Sequence, residues 1–430
     1  VAEYPAMEAM RDRARDIRLH TLARLDQYLD RLADSVESAG GNVFFASDAD
    51  EATAHIRSLA AARGVETVVK SKSMVTEEIE LNHALESDGR RVVETDLGEF
   101  IVQLSGDTPS HIIAPVLHKT RFDIGELFAS ELGVPYTDDP FELNAIARRY
   151  LRSIFLSADM GVSGVNFAAA DTGTMVTVTN EGNARLSTTA PRVHVAVMGM
   201  ERVVPTIADM QVMLDVLARS ATGQRLSVYT NFVTGSRRPG DPDGPEEFHL
   251  VILDNGRSDV LASASAEILG CIRCGACLNI CPVYRHTGGH AYGGVYSGPV
   301  GSVLTPVLEG HDGWEDLPFA SSLCGACKDV CPIRIDIPAM LLGLRHEMVD
   351  HGDGPFGWLG PGLAAYSRLA THPALWRAFL AAGGVFGRVV GRDGYVSRLP
   401  FHAGNWTSTR DLPVPAARSF HSWWKEHRGT

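Results

Sequence analysis

The chain has 430 residues, of which 45% are hydrophobic and 21% charged, so it is long enough for two or three globular domains. Its formal net charge of −13 argues against a nucleic-acid-binding protein, because the phosphates would be repelled. The sequence has no run of about 18 uncharged apolar residues, so no membrane-spanning helix is expected. The first residues lack the pattern of a signal peptide, and a cytoplasmic location is therefore expected.

Residues 1–41 carry an apolar pattern with three- and four-residue steps, which predicts one long amphipathic helix ending at Gly40 and Gly41. From residue 42 to 256, short apolar runs alternate with helical patterns, a rhythm typical of an α/β domain with a largely parallel sheet. Strands are predicted at 43–46, 65–69, 92–93, 111–116, 165–169, 175–179, 193–198, 227–233 and 248–253. Helices are predicted at 55–62, 76–87, 122–132 and 140–157.

This α/β region lacks the glycine-rich strings of dinucleotide-binding and P-loop proteins. Three polar segments could hold an anion: the turns at 171–174 and 180–183, and the string 70–78, in which Lys72 precedes a predicted helix. The same segments are also typical of plain turns and of a helix start capped by Thr76. No catalytic triad or carboxylate pair is recognisable, so catalytic residues stay unassigned.

The cysteines are the most informative feature, because all seven lie between residues 271 and 331. The first run has the spacing in which three thiolates bind one [4Fe–4S] cluster and the fourth, followed by proline, reaches another. It consists of Cys271, Cys274, Cys277 and Cys281. The second run supplies Cys324, Cys327 and Cys331, again followed by proline. Two iron–sulfur clusters are therefore predicted.

An alignment of the two runs assigns cysteine ligands to each cluster and leaves cluster 2 without a fourth cysteine. By the crossing rule, cluster 1 would be bound by Cys271, Cys274, Cys277 and Cys331. Cluster 2 would be bound by three thiolates, from Cys281, Cys324 and Cys327, because Ser321 occupies the position that matches Cys271. Its fourth ligand could be the Ser321 oxygen, water or an outside group, or cluster 2 could be [3Fe–4S]. The spacing leaves these alternatives open.

Two other interpretations of the cysteines fit less well. A structural zinc site uses four ligands, usually as two separated pairs, and has no need of the third closely spaced cysteine. Disulfides are disfavoured by the odd count and the tight spacing.

A long insert separates Cys281 from Cys324, so a compact bacterial ferredoxin is not expected. Predicted helices at 263–269 and 338–348 flank the two runs and indicate an all-α helical ferredoxin domain at 257–350. The glycine-rich insert is interpreted as backbone that approaches a cluster closely. Residues 351–430 form a tail rich in Trp, Gly and Pro, with nine Lys or Arg against four acidic residues. This tail could contact an acidic partner or a membrane surface, or pack on the protein's own acidic body.

Several strings together resemble the lactate utilization protein B family. They include SKSMVTEEIELNHALE, ETDLGEFIVQL, TNEGNARL, LDNGR, the first cysteine run extended to SGPVGSVLTP, and SSLCGACKDVCP. The resemblance spans about residues 10 to 345. It implies a LUD-type domain, related to the sugar-isomerase and CoA-transferase fold, followed by a two-cluster ferredoxin domain. It also implies two partners: a cysteine-rich protein of the heterodisulfide-reductase type and a smaller LUD-only protein.

The expected function is an iron–sulfur electron-transfer subunit of a complex that oxidises L-lactate to pyruvate. Two alternatives stay open. The LUD-type domain could be an enzyme that acts on an organic acid or acyl thioester, or the clusters could sense iron or oxygen. Which 2-hydroxy acid and which electron acceptor are involved is not predicted by the sequence.

Overall fold

The protein was analysed as a computed structural model, which describes residues 4–351, 359–399, 404–416 and 419–428. The chain forms two compact units, Val1–Gly354 and Pro355–Thr430. None of the helices in these described ranges is long and apolar enough to cross a membrane.

Within residues 4–351, the first unit contains ten strands, most of them short and buried. They are β1 (Asn42–Ala46), β2 (Thr67–Lys70), β3 (Arg91–Glu94), β4 (Met160–Gly164), β5 (Phe167–Ala169), β6 (Thr174–Thr179), β7 (Val193–Gly199), β8 (Val203–Val204), β9 (Tyr229–Val233) and β10 (Glu247–Leu253). Six of them form one sheet in the order β1-β10-β7-β4-β2-β3, and all of its neighbouring strands pair in parallel. A second sheet of four strands has the order β8-β5-β6-β9. The expected α/β fold with a largely parallel sheet is confirmed.

Helices surround these sheets and build the cysteine-containing region. In the first unit they are α1 (Met7–Leu22), α2 (Leu25–Ser38), α3 (Ala49–Ala62), α4 (Met74–Glu78), α5 (Leu81–Ser87), α6 (Leu97–Leu104), α7 (Arg121–Leu132), α8 (Pro140–Ser157), α9 (Asn183–Thr189), α10 (Ile207–Ala221), α11 (Arg257–Ala262), α12 (Ala276–Ile280), α13 (Pro282–Thr287), α14 (Gly298–Glu309), α15 (Ala326–Val330) and α16 (Ile337–His351). The described residues from Arg257 to His351 therefore form a helical region, as expected for the ferredoxin part.

Residues 1–41 differ from the single predicted helix, since they form two helices, α1 and α2. The break falls at Arg24, whose backbone leaves the helical region with φ −139° and ψ 37°. One face of α1 packs with α10 and with the cysteine-containing region in a shared hydrophobic core that includes Ile17, Met213, Ile268 and Leu344. The amphipathic pattern predicted the apolar face correctly, but it did not indicate the break between α1 and α2.

One predicted strand was wrong, and one strand of the parallel sheet was missed. The predicted strand at 111–116 is a turn, because His111 Nδ1 accepts the backbone N–H groups of Ile113 at 3.0 Å and Ala114 at 3.2 Å. Strand β4 was missed because its short glycine-containing sequence lacks a long apolar run. A Cβ atom at Gly161 would lie 1.7 Å from the carbonyl oxygen of Ser187, so close packing of α9 requires glycine in the centre of the sheet.

The second unit contains α17 (Leu359–Ala370), α18 (Pro373–Val390), β11 (Tyr395–Val396), α19 (Gly404–Thr407), β12 (Leu412–Pro413) and α20 (Phe420–His427). Strands β11 and β12 pair antiparallel. Trp376 stacks on Phe379, and Trp423 stacks on Phe420. The predicted tail at 351–430 was recognised by its Trp and basic residues; two of these, Trp358 and Arg418, lie outside the described residues.

Candidate iron–sulfur site

The two cysteine runs adopt the same local backbone conformation. In the first run, Arg273 and Gly275 have positive φ values of 57° and 71°, and α12 follows. In the second run, the aligned residues Leu323 and Gly325 have φ values of 54° and 85°, and α15 follows. Each run thus turns tightly around its cysteines before a single short helix, so the sequence repeat is also a structural repeat.

Backbone N–H groups point at three of the sulfur atoms. Arg273 N donates to Cys271 Sγ at 3.4 Å, Tyr284 N to Cys281 Sγ at 3.5 Å, and Ile335 N to Cys331 Sγ at 3.4 Å. Such N–H donors stabilise negative charge on sulfur and raise the potential of a bound cluster. All seven cysteines are free thiols.

Four of the thiols influence one another electrostatically. Burial raises the pKa of Cys277 well above its usual value, and the nearby Cys271, Cys274 and Cys331 raise it further. Burial and then Cys271 likewise raise the pKa of Cys331 to about 11. The two cysteine runs therefore meet, although 60 residues separate the first and the last member of this group in the sequence. Four thiolates so close together require a cationic partner to offset their repulsion.

The other three cysteines form a second group. Burial raises the pKa of Cys327 to about 11, and Cys281 and Cys324 add to the effect. Cys324 is exposed, and the backbone N–H of Ala326 lowers its pKa. Ser321 lies in the loop before this group, and its Oγ accepts the N–H of Leu323 at 3.2 Å. Cys271 accepts the N–H of Arg273 in the same way, so Ser321 occupies the matching place in the second loop.

The insert between the runs packs against residues 107–118. Tyr284 Oη donates to the Ser110 carbonyl at 2.6 Å, and His290 Nε2 bonds the Thr108 carbonyl at 2.8 Å. A Cβ at Gly289 would lie 1.7 Å from the Ser110 oxygen. At least one glycine of the insert therefore allows close contact with the α/β domain. The sequence analysis had interpreted these glycines as backbone that approaches a cluster.

Helix α1 contributes three arginines that sequence analysis missed. Arg11 donates to the carbonyls of Cys331 and Asp329 at 2.7 and 2.6 Å, and Arg15 donates to those of Ile333 and Arg334 at 3.2 and 2.9 Å. Arg18, which is fully buried, donates to the carbonyls of Val203, Leu269 and Gly270. The three arginines are spaced four and three residues apart, which places them on one face of a helix; this pattern is visible in the sequence.

Known families match three parts of the chain. Residues 29–253 match the LUD domain, residues 267–335 the 4Fe–4S dicluster domain, and residues 362–429 the C-terminal region of lactate utilisation protein B. Lactate utilization protein B of Bacillus licheniformis is 48% identical over 98% of this chain and 88% of its own length. The chain belongs to the lactate utilization protein B family. The resemblance identified from the sequence is thereby confirmed, and it extends beyond residue 345 into the C-terminal region.

Other relatives support the same membership. Lactate utilization protein B of Shouchella clausii is 47% identical over 97% of this chain and 88% of its own length. An electron transport protein of Escherichia coli, YkgF, described as uncharacterized, is also 47% identical, over all of this chain and 90% of its own. A solved DUF162 family protein from Deinococcus radiodurans aligns with 53% of this chain and 98% of its own, at 15% identity and a TM-score of 0.28. As a member of the lactate utilization protein B family, this chain is an iron–sulfur protein associated with lactate utilization.

The residues fit an iron–sulfur cofactor. The donors are thiols, which iron–sulfur clusters prefer, and backbone N–H groups are aimed at their sulfur atoms. The thiols lie in two groups that each join both cysteine runs, which a single tetrahedral zinc site does not need.

Two of the polar segments found in the sequence meet at a cavity in the α/β domain. Lys72, from the string 70–78, and Glu181, from the turn 180–183, both line it. Ser73, rather than Thr76, caps helix α4, since its side chain accepts the N–H of Thr76. The turn 171–174 lies elsewhere: Asp171 Oδ1 accepts the N–H of Ile207 at the start of α10.

Proposed function

We propose that this protein is the iron–sulfur electron-transfer subunit of a multi-protein complex that oxidises L-lactate to pyruvate. Membership of the lactate utilization protein B family supports the link to lactate. The observation that carries the proposal is the pair of matching cysteine loops inside the 4Fe–4S dicluster match at 267–335, and the electrostatic grouping of the thiols agrees with it. Bound iron–sulfur clusters would supply one-electron transfer, which suits a subunit that passes electrons singly between a lactate-oxidising site and an acceptor.

In this proposal each set of thiols holds one cluster. Cys271, Cys274, Cys277 and Cys331 hold cluster 1 as [4Fe–4S]. Cys281, Cys324 and Cys327 hold cluster 2, which is [4Fe–4S] or [3Fe–4S], and Ser321 stands at the fourth position. The backbone N–H groups of Arg273, Tyr284 and Ile335 would bond the ligand sulfurs and tune the potentials.

The α1 arginines hold the two cysteine runs against the α/β domain. Arg11 binds the backbone of the second run, and Arg18 binds the backbone that precedes the first run. Because the same helix face engages both, α1 keeps the distance between the two thiol groups constant, which a relay requires. The proposed partners are a cysteine-rich protein of the heterodisulfide-reductase type and a LUD-only protein.

The cluster assignment is tested by iron and sulfide content with electron paramagnetic resonance on anaerobically purified protein. We expect about eight irons per chain for two [4Fe–4S] clusters, or about seven if cluster 2 is [3Fe–4S]. The variants C331S and C281S should each alter a different one of the two signals. Loss of the same signal in both variants would contradict the crossed assignment, and zinc in place of iron would overturn the iron–sulfur role.

The relay role is tested with the two proposed partners added. L-lactate should then reduce the clusters of the wild-type chain, and a chain without clusters should not support electron flow to an artificial acceptor. Clusters that stay oxidised in the complete mixture would contradict the relay. Lactate turnover by the isolated chain would instead favour the alternative in which the LUD-type domain is itself the enzyme.

A further inference from the structure

The cavity in the α/β domain has a volume of about 570 Å³ and lies beyond the carboxyl ends of strands β2, β4 and β7. Its lining includes Ser71 and Lys72 after β2, Gly164 and Asn166 at the end of β4, and Arg202 after β7. Strand β2 is followed in the chain by its outer neighbour β3, whereas β4 lies on its other side. The side on which successive strands are added to the sheet thus reverses between β2 and β4, and open parallel sheets bind ligands at such a switch point.

Two cations of the lining lack hydrogen-bond acceptors. The three guanidinium nitrogens of Arg273 are buried and no oxygen atom accepts a hydrogen bond from them; the side chain is only 7% exposed, and the neighbouring Cys271 thiol is the group that attracts it most. Lys72 Nζ is also buried without a hydrogen bond, and its nearest carboxylate oxygen, on Glu99, is 3.7 Å away. A buried cation without an acceptor is costly, so these two groups indicate an oxyanion that is part of the functional protein.

The neighbouring ionic groups do not remove this need. Glu201 is bonded by Arg257 at 2.8 Å, and Arg257 is also paired with Glu78. Arg273 Nη2 is 3.8 Å from Glu201, and its guanidinium lies over the ring of Tyr296, 4.7 Å from the centroid. Glu201 is thus already hydrogen-bonded to another arginine, while Arg273 keeps its planar set of donors, which suits a carboxylate or a phosphate.

Most of the remaining lining surface is apolar, although the carboxyl groups of Asp96 and Glu181 also line the cavity near Lys72. Leu217 of α10 forms part of the wall. The segments around α6 and α7 add four isoleucine side chains, those of Ile101, Ile112, Ile113 and Ile124. A cavity of this volume is in the range that accommodates ligands of cofactor size. A lactate molecule has six non-hydrogen atoms and would leave most of the apolar wall uncovered.

We propose that this cavity binds an organic anion of cofactor size, whose phosphate or carboxylate group pairs with Arg273 or Lys72 and whose apolar body covers the isoleucine wall. Arg273 lies between Cys271 and Cys274, so the ligand would sit beside the proposed cluster 1. The inference goes beyond the relay role and does not depend on it, because Lys72 and most of the lining belong to the α/β domain, whereas Arg257, Arg273 and Tyr296 come from the ferredoxin region.

The test measures binding to anaerobically purified full-length protein by calorimetry, with three probes. Flavin mononucleotide represents a phosphate with an apolar ring, 2-hydroxyoctanoate represents a carboxylate with an apolar chain, and L-lactate represents a small carboxylate. We expect one of the two larger probes to bind saturably, and which one it is distinguishes phosphate from carboxylate. The variants R273Q and K72Q should weaken this binding, at least one of them by about 10- to 100-fold. The control K119Q, which removes a lysine paired with Asp107 outside the cavity, should not change it.

Iron content and circular dichroism of each variant separate a binding defect from misfolding. K72Q keeps the test decisive if R273Q loses its clusters, because Lys72 is far from the cysteines in the sequence. The proposal is overturned if neither large probe binds, if L-lactate alone binds, or if both variants bind like wild type. If R273Q changes the cluster signal but binds the probe like wild type, Arg273 serves only the cluster. If K72Q then also binds the probe like wild type, the proposal is overturned. Missing clusters with intact probe binding would instead contradict only the relay.

Discussion

Arg11 donates a hydrogen bond from Nη2 to the backbone carbonyl of Cys331 at 2.7 Å, across 320 positions of sequence. Its Nη2 also bonds the carbonyl of Asp329 at 2.6 Å, so one guanidinium holds the turn that carries the last cysteine. The first helix of the chain thereby supports the cysteine region directly. Removal of a buried charged donor leaves carbonyl groups without a partner, which makes this contact testable.

We therefore expect R11A to lower the free energy of unfolding by about 2–4 kcal/mol, since several charge-assisted hydrogen bonds are lost. It should also reduce the iron retained per chain after gel filtration. The control is R13A on the same helix, because Arg13 is 60% exposed and pairs with Asp209 at 3.2 Å. Equal effects of the two variants would show that Arg11 has no special role. Chemical denaturation followed by circular dichroism provides the measurement.

A second prediction concerns Ser321, which occupies the place of a fourth cysteine. The variant S321C should complete the thiolate set of the second group, so more iron should remain bound after exposure to air. The matched control is S58C, which adds a thiol at an exposed position of α3 outside the cysteine region. Iron and sulfide analysis before and after air exposure compares the variants. Retention equal to that of wild type in S321C would argue against Ser321 as the fourth position.

A third prediction concerns contact between the insert and the α/β domain. G289A would bring a Cβ within 1.7 Å of the Ser110 oxygen, so the backbone must shift, with an expected cost of about 1–3 kcal/mol. In G343A the new Cβ meets nothing within 4 Å on an exposed position of α16, so the variant should be neutral or slightly stabilising. Thermal unfolding measures both. A stable G289A would mean that the insert is not closely packed there.

The fourth prediction is a pH dependence caused by Glu99. Burial raises the pKa of this carboxyl to about 8, and the nearby Lys72 only partly offsets the effect. The folded state therefore binds the proton more tightly than the unfolded state, whose pKa is about 4.3, so stability falls as the pH rises between these two values.

The expected loss of stability from pH 6 to 9 is roughly 1–3 kcal/mol. E99Q keeps the shape of the protonated carboxyl, so it should match wild type near pH 6 and be more stable near pH 9. E86Q, at an exposed position of α5, is the control and should follow the wild-type profile. Parallel pH profiles for E99Q and wild type would exclude Glu99 as the source. Urea denaturation at each pH gives the comparison.

Features that depend on local chemistry are predictable from the order of the residues. Alternating apolar runs identified most strands of the parallel sheet, and the cysteine spacing predicted an iron–sulfur site because thiolate ligands must come from one tight loop. Ser321 was recognised by alignment of the two runs alone. Which thiols share a cluster is still a prediction from spacing, supported by their electrostatic grouping.

Contacts between segments that are distant in the sequence are visible only in the folded structure. The arginines of α1 meet carbonyl groups more than 180 positions away, and Arg273 meets the same cavity as Lys72. Strand β4 was missed because glycine, which the close packing at Gly161 requires, interrupts the apolar run, whereas at 111–116 the His111 hydrogen bonds override an apolar pattern. Burial and unpaired donors are properties of the whole fold, so a pattern in the chain does not reveal them.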